Sequence, residues 1–282
     1  MKRLFKISLG LLIVVAVLLT VVWFTGRDSN LKVYFFDIGQ GDGMLIRTPT
    51  HQNIVIDGGP DNTFITKLGQ ALPFYDRTID LMVLSHAHDD HLFGLVEVLK
   101  RYKVKEVLYS GALHTTDAYL EWLSLIKEKE IPLKIARAGQ TFIFNEVEFK
   151  VIYPFTDLTN QKMENLNNSS VVNRLVYGQI KILFMGDSEV EGEKEIINQA
   201  REGIESQVIK LGHHGSDTSS TEDLLKLVKP IYGIIQVGED NKFGHPARRV
   251  LRRLERLGIQ VFRNDLEGDI VLETDGQSLI FR

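Results

Sequence analysis

The sequence contains no cysteine, and this one absence removes disulfides, thiolate metal ligands and cysteine nucleophiles together. Proline is scarce, seven in 282 residues, and no long stretch rich in proline or glycine divides the chain. A basic excess is missing as well. The formal net charge is −4. Lys2, Arg3 and Lys6 are the only charges among the first 26 residues; removing those three from 33 basic residues leaves 30 against 37 acidic, a formal −7 for the remainder. A global electrostatic footprint for nucleic acid is therefore absent, and any such contact has to be local. What remains is an ordinary globular balance, 44% hydrophobic and 25% charged, which excludes wholesale disorder and fibrous repeats.

One long apolar run is present. Between Lys6 and Arg27 lie 20 residues without a charge, Ile7 to Gly26, with Trp23 and Phe24 at the distal end. At ~1.5 Å per residue the run spans roughly 30 Å, the thickness of a bilayer's hydrocarbon core. Three preceding cations predict a cytoplasmic amino terminus and place the rest on the far side. Residues 1–26 are thus expected as an N-terminal transmembrane helix, a single-pass anchor in the cell membrane. The rival is a cleaved signal peptide and a secreted product, although Thr25-Gly26 matches a small-residue cleavage site poorly. Residues 27–30 form a short polar linker, and 31–282 read as one domain.

Within that domain, β-type runs at 31–36, 43–48 and 53–59 precede an amphipathic segment near 63–71 and an apolar strand at 80–85. Helices follow near 91–101 and 116–129, with a strand at 105–109 between them. A block of strands comes next (141–145, 147–154, 170–177, 179–186). Helix and strand then alternate to about 258, and two strands close the chain. Each half reads as an antiparallel meander followed by alternating helix and strand. The order is satisfied by an α/β fold, an αββα sandwich of two mixed β-sheets flanked by helices, with the site on loops at their shared edge.

The chemistry concentrates in His86-Ala87-His88-Asp89-Asp90-His91, directly after the apolar strand. Three imidazoles and two carboxylates in six residues do not belong in a core, and the imidazoles repel one another when protonated. A bound cation resolves both difficulties, because neutral imidazole and carboxylate are its ligands. In extended geometry His86 and His88 face one side while Asp90 and His91 turn to another, which suits two adjacent ions.

His-x-His-x-Asp-His after a strand resembles the signature of the metallo-β-lactamase-like hydrolases, and the resemblance extends over residues 31–282. It implies a metallo-β-lactamase fold and further site residues: Asp57 in Val55-Ile56-Asp57-Gly58-Gly59 beside the metals, Asp187 in Phe184-Met185-Gly186-Asp187 as the carboxylate bridging two ions, and His213 in Gly212-His213-His214-Gly215-Ser216 as the late metal-binding histidine. The chain is most similar to the corresponding domain of the ComEC-type competence proteins, through Asp37-Ile38-Gly39-Gln40-Gly41-Asp42, Asn167-Asn168-Ser169-Ser170-Val171-Val172, the His-His-Gly-Ser run and Asn241-Lys242-Phe243-Gly244-His245-Pro246. It departs from many of them in carrying His88 where they have aspartate, and in having one apolar span instead of many. β-Lactamases and ribonuclease Z-like enzymes place another histidine before the bridging carboxylate. Here His114 comes too early in the chain for that position, and Asn168 or Ser170 stands near it.

These expectations give a metal-dependent hydrolase with His86, His88, Asp90, His91, Asp187 and His213 as metal ligands. The cofactors are two divalent ions, Zn²⁺ or Mn²⁺. Asp90 and Asp57 join the catalytic set. His214 and His245 are candidates to donate a proton or bind phosphate, and Asn168, Ser170, Ser216 and His245 to hold substrate. A hydroxide shared by two ions roughly 3.5–4 Å apart would attack a phosphodiester in line. The resemblance implies DNA outside the cytoplasm as that substrate. The alternatives are an envelope phosphodiesterase of the phosphorylcholine-esterase type and a catalytically weak module that binds nucleic acid or a protein partner. Blander readings stand beside these. Asp37, Gln40 and Asp42 also read as a polar turn, Ser220 with Asp223 as a helix cap, and the arginines of 246–256 as a solvated helix face.

Overall fold

The computed structural model describes residues 10, 12–17, 20, 30–200 and 203–282. The expected anchor and linker, 1–26 and 27–30, lie largely outside the described residues. No helix among the described residues is long and apolar enough to cross a membrane.

Two mixed sheets form the centre. The first has eight strands in the order Leu279–Phe281, Ile270–Thr274, Leu31–Phe35, Gly43–Arg47, Asn53–Gly58, Leu81–Leu84, Val107–Tyr109, Leu133–Ile135. The second has seven, in the order Gln260–Arg263, Tyr232–Ile235, Val208–Lys210, Ile180–Phe184, Val172–Tyr177, Val147–Tyr153, Thr141–Phe144. Both follow the expected plan. An antiparallel meander runs to Asn53–Gly58 in one sheet and to Ile180–Phe184 in the other, and parallel strands joined by helical crossovers follow. The two closing strands return to the first sheet.

The sheets pack face to face through alternate residues. Val33, Phe35, Ile46 and Ile56 of one meet Phe149, Leu175, Ile182 and Phe184 of the other in a single apolar cluster. The opposite face of the first sheet buries Leu68, Leu92, Leu95 and Trp122 of the helices Thr63–Ala71, Asp89–Arg101 and Asp117–Glu128. That of the second buries Ile196, Leu224, Leu225, Val250 and Leu254 of Val190–Gln199, Glu222–Val228 and Arg248–Arg256. The parallel strand Leu81–Leu84, buried at every residue, is accordingly apolar throughout.

Short elements lacked a sequence signal: the strand Leu133–Ile135, the pair Thr78–Ile79 and Lys103–Val104, and the single 3₁₀ turns Leu166–Ser169 and Gly212–Gly215. Each is too brief to build up a period. The cap of Glu222–Val228 is Thr221, whose hydroxyl accepts the Leu224 N–H; Ser220 instead takes a left-handed conformation and donates its N–H to Glu193. The arginine helix is held by Val250 and Leu254, both fully buried and worth ~1.5–3 kcal/mol each.

Candidate metal centre

Every chemically loaded loop leaves the carboxyl end of a strand. Asp57 ends Asn53–Gly58, the His86 cluster follows Leu81–Leu84, Asp187 follows Ile180–Phe184, and His213-His214 follow Val208–Lys210. The twin topology turns all four toward one edge, where open α/β sheets present their sites. Asp57, His213 and His214 have positive φ, a conformation rare outside glycine that clusters at functional sites. Gly41 permits a close approach: a side chain there would clash with the Asp90 carbonyl oxygen, and this proximity lets Asp42 N–H bond that carbonyl at 3.2 Å.

Four ligand sets converge: His86, His91 and Asp187; Asp90, His91 and His214; Asp42, Asp57 and His91; and Asp42, Asp187 and His214. His91 belongs to three of the four sets, and the Asp187 carboxylate faces all three buried imidazoles. Its Oδ2 lies 3.3 Å from His91 Nε2, 3.4 Å from His214 Nε2 and 3.9 Å from His86 Nε2. His214 Nε2 is also 3.5 Å from Asp90 Oδ2.

The imidazoles are aimed by their second nitrogens. His214 Nδ1 lies 2.9 Å from the Gln236 carbonyl oxygen, which only accepts, so Nδ1 carries the proton and Nε2 faces the cluster. His91 Nδ1 donates to Asp57 Oδ2 at 2.9 Å, with the same result. Asp57 is itself held by the Ser85 N–H at 2.7 Å and hydroxyl at 2.6 Å. His91 Nε2, His214 Nε2 and Asp187 Oδ1 are buried without a hydrogen-bond partner. Two of these, His91 Nε2 and His214 Nε2, face Asp187 Oδ2 from different elements, an arrangement that fits a bound cation rather than a packing fault.

The local field agrees. Burial lowers the basicity of His91 and His214 and is the largest single influence. Asp187 and the other facing carboxylates nevertheless outweigh it, so both imidazoles lie well above their ordinary range. Burial likewise pushes the Asp187 carboxyl up, but His214 and His91 hold it well below. A pocket that draws protons this strongly draws divalent cations by the same electrostatics, and the two compete. These residues present the imidazole and carboxylate donors that divalent ions need.

The predicted residues divide. His86, Asp90, His91 and Asp187 converge, with Asp57 directly behind them. His88 caps the Asp89–Arg101 helix at the rim, its Nδ1 3.0 Å from His86 Nε2. His213 requires a correction. It joins none of the four ligand sets: its Nδ1 pairs with Glu189 at 3.0 Å and Thr218 at 3.2 Å, and the convergent place belongs to His214, expected to donate a proton or bind phosphate. With both residues left-handed, the chain turns its second histidine inward.

Asn168 is a second correction. Its carboxamide accepts from Glu189 N–H and Gly192 N–H and donates to Glu191, fixing the start of a helix instead of facing substrate. Ser170 is also withdrawn, fully buried with its hydroxyl accepting the Asp187 N–H at 3.0 Å. Ser216 is buried against Thr218. His245 stands at the rim, its ring 5.5 Å from that of His213.

Other residues emerge only in three dimensions. Asp42 leaves its polar turn to sit fully buried, Oδ1 3.3 Å from His214 Nδ1 and Oδ2 paired with Lys210. Burial raises its carboxyl, but Lys210 and His214 bring it below the ordinary value. Lys210, also fully buried, further reaches the Gly186 carbonyl at 3.2 Å and stands 3.9 Å from Asp187 Oδ1. The available signal was a lysine inside an otherwise apolar strand, which demands a partner. His114 packs its ring 6.3 Å from that of His88 and lines, with Lys162 and Met163, a cavity of about 530 Å³ beside the centre.

The chain is 30% identical over 261 residues to ComE operon protein 3 of Bacillus subtilis, covering 86% of this chain and 33% of that protein. It is 29% identical over 247 residues to the competence protein ComA of Neisseria gonorrhoeae, covering 86% and 32%. It thus spans about a third of the length of these relatives. Among solved structures, CmlA, a diiron beta-hydroxylase from Streptomyces venezuelae, superposes with a TM-score of 0.57 at 15% identity, covering 87% of this chain and 54% of that one; this likeness shows the fold alone. Residues 37–238 match the metallo-beta-lactamase superfamily model, and the chain belongs to that superfamily of metal-dependent hydrolases.

Proposed function

We propose that this protein is a metal-dependent phosphodiesterase that cleaves DNA outside the cytoplasm, tethered by its first 26 residues. The observation that carries the reading is the convergence of His91 Nε2 and His214 Nε2, buried and without a hydrogen-bond partner, on Asp187 Oδ2, beside Asp90 and His86. Two divalent ions held by His86, His88, Asp90, His91, Asp187 and His214 would supply an activated water and an electrophilic grip on a phosphate. The relatives named as competence proteins support DNA as the substrate class.

The protein's own part is to hold that arrangement still. Asp57 and the Gln236 carbonyl fix the two imidazoles, and Ser170 fixes the Asp187 backbone. Lys210 balances part of the charge of Asp42 and Asp187. Glu189 braces His213 through Nδ1, and His245 beside it is placed to protonate the leaving oxygen. Supporting the tether are the uncharged run from Ile7 to Gly26 and the three cations before it.

The test is hydrolysis of bis-p-nitrophenyl phosphate and of DNA by the zinc- or manganese-loaded chain. The expected result is turnover of both, abolished by chelation and lowered on the order of 10³-fold in Asp187→Ala with the fold retained. Turnover of the chromogenic ester with no cleavage of DNA would redirect the assignment to an envelope ester. Undiminished turnover in Asp187→Ala would refute the metal mechanism.

A further inference from the structure

The loop 238–246 runs beside the centre and supplies none of the converging metal donors among the described residues. It is clamped at both ends. Gly238 N–H reaches Gln40 Oε1 at 3.4 Å, and Ala247 N–H donates to the Gly215 carbonyl, next to His214, at 2.9 Å. Gly215 leaves the loop just enough room, since a side chain there would meet Pro246 at 2.7 Å. Asn241 staples the interior: its carboxamide donates to the carbonyls of Gly238 at 2.9 Å and His245 at 2.8 Å and accepts the His245 N–H at 2.9 Å.

This bracing presents an aromatic ring to water. Phe243 is 69% exposed, and no apolar cluster claims it. It lies parallel to His245, centroids 5.9 Å apart and planes at 15°. From His245 a row of rings leads inward, through His213 at 5.5 Å and His214 at a further 6.1 Å, to Asp187. Cations flank the ledge. Lys242 precedes Phe243, and Arg248 and Arg249 open the next helix, all three exposed; among the described residues Arg248 and Arg249 have no carboxylate partner, whereas Arg253 and Arg256 of the same helix are engaged. Glu239 and Asp240 on the opposite limb leave residues 239–249 with a net +1.

We infer that Phe243, backed by His245, is a stacking platform for an unpaired nucleobase of a single-stranded nucleic acid whose phosphodiester lies at the metal centre; this rests on the phosphodiesterase reading. A flat ring with an open face and flanking cations suits a base on a polyanionic strand, because stacking accepts any base and the charges follow the backbone. A quaternary ammonium headgroup would need rings enclosing it at several angles and would be repelled by Lys242 and the two arginines. Bases held in a duplex offer no free face to Phe243. The surface therefore selects unpaired over paired strands although the chain as a whole is acidic.

The test compares Phe243→Ala and Phe243→Tyr in the metal-loaded full chain. On a single-stranded oligonucleotide, Phe243→Ala is expected to raise KM about tenfold while Phe243→Tyr retains the wild-type value. On bis-p-nitrophenyl phosphate, which has no base, both variants should match wild type. Equal KM for the oligonucleotide in all three proteins, or an equal loss on both substrates, overturns the platform. A second readout needs no turnover: quenching of a 2-aminopurine base in an oligonucleotide bound to metal-free protein. Quenching by wild type and Phe243→Tyr, absent in Phe243→Ala, upholds the platform even where no DNA is cut, a result that would sink the nuclease reading alone. Quenching by all three proteins, or by none, overturns it.

Discussion

The amino-terminal half delivers His86, His88, Asp90 and His91 in one loop, whereas the carboxy-terminal half delivers Asp187 and His214 singly, from the ends of two strands. Both halves share one topology, an antiparallel meander continued by parallel strands. They differ in how local the information is. The contiguous loop takes one outside support, Asp57 of the neighbouring strand, which aims His91. The dispersed pair depends on partners from elsewhere: Ser170 for the Asp187 backbone, Asp42 and the Gln236 carbonyl for His214, and Lys210 between the two acids. The first half supplies most of the donors, and the second supplies the geometry that joins them.

Removing Lys210 strains that difference most. Lys210→Met leaves Asp42 buried without its cation, so a loss of ~3–5 kcal/mol is expected by denaturant unfolding. Most of that loss should return in Lys210→Met with Asp42→Asn, where no uncompensated charge remains. A single variant as stable as wild type would mean that the pair is idle.

A smaller effect is expected from the amino-terminal half, where the equivalent support is one residue deep. Asp57→Asn keeps the shape but weakens the hold on His91 Nδ1, and metal affinity should fall roughly 10-fold to 100-fold, measured by competition with a chelator. Loss of folding instead would show that Asp57 serves the sheet more than the centre.

The same contrast explains what could be read in the sequence. The αββα order was legible because long strands and helices carry their own period, and the His86–His91 loop because its density has no structural excuse. The choice between His213 and His214 was not, since it turns on two consecutive left-handed residues that no periodicity encodes. Asn168 stood in a stretch that resembles a site, yet its amide is spent on the helix beginning at Val190. Lys210 passed as part of an apolar strand, and Asp42 as part of a turn, because their partnership spans 168 positions of sequence. Phe243 became legible only once the loop around it was seen to be clamped.

The most direct test of a centre assembled from both halves is the metal content of the full chain and of two neighbouring variants, His214→Ala and His213→Ala, after equilibration with zinc or manganese. The account predicts about two ions per chain in wild type and in His213→Ala, and at most one in His214→Ala. Two ions retained in His214→Ala, or a loss confined to His213→Ala, would contradict it.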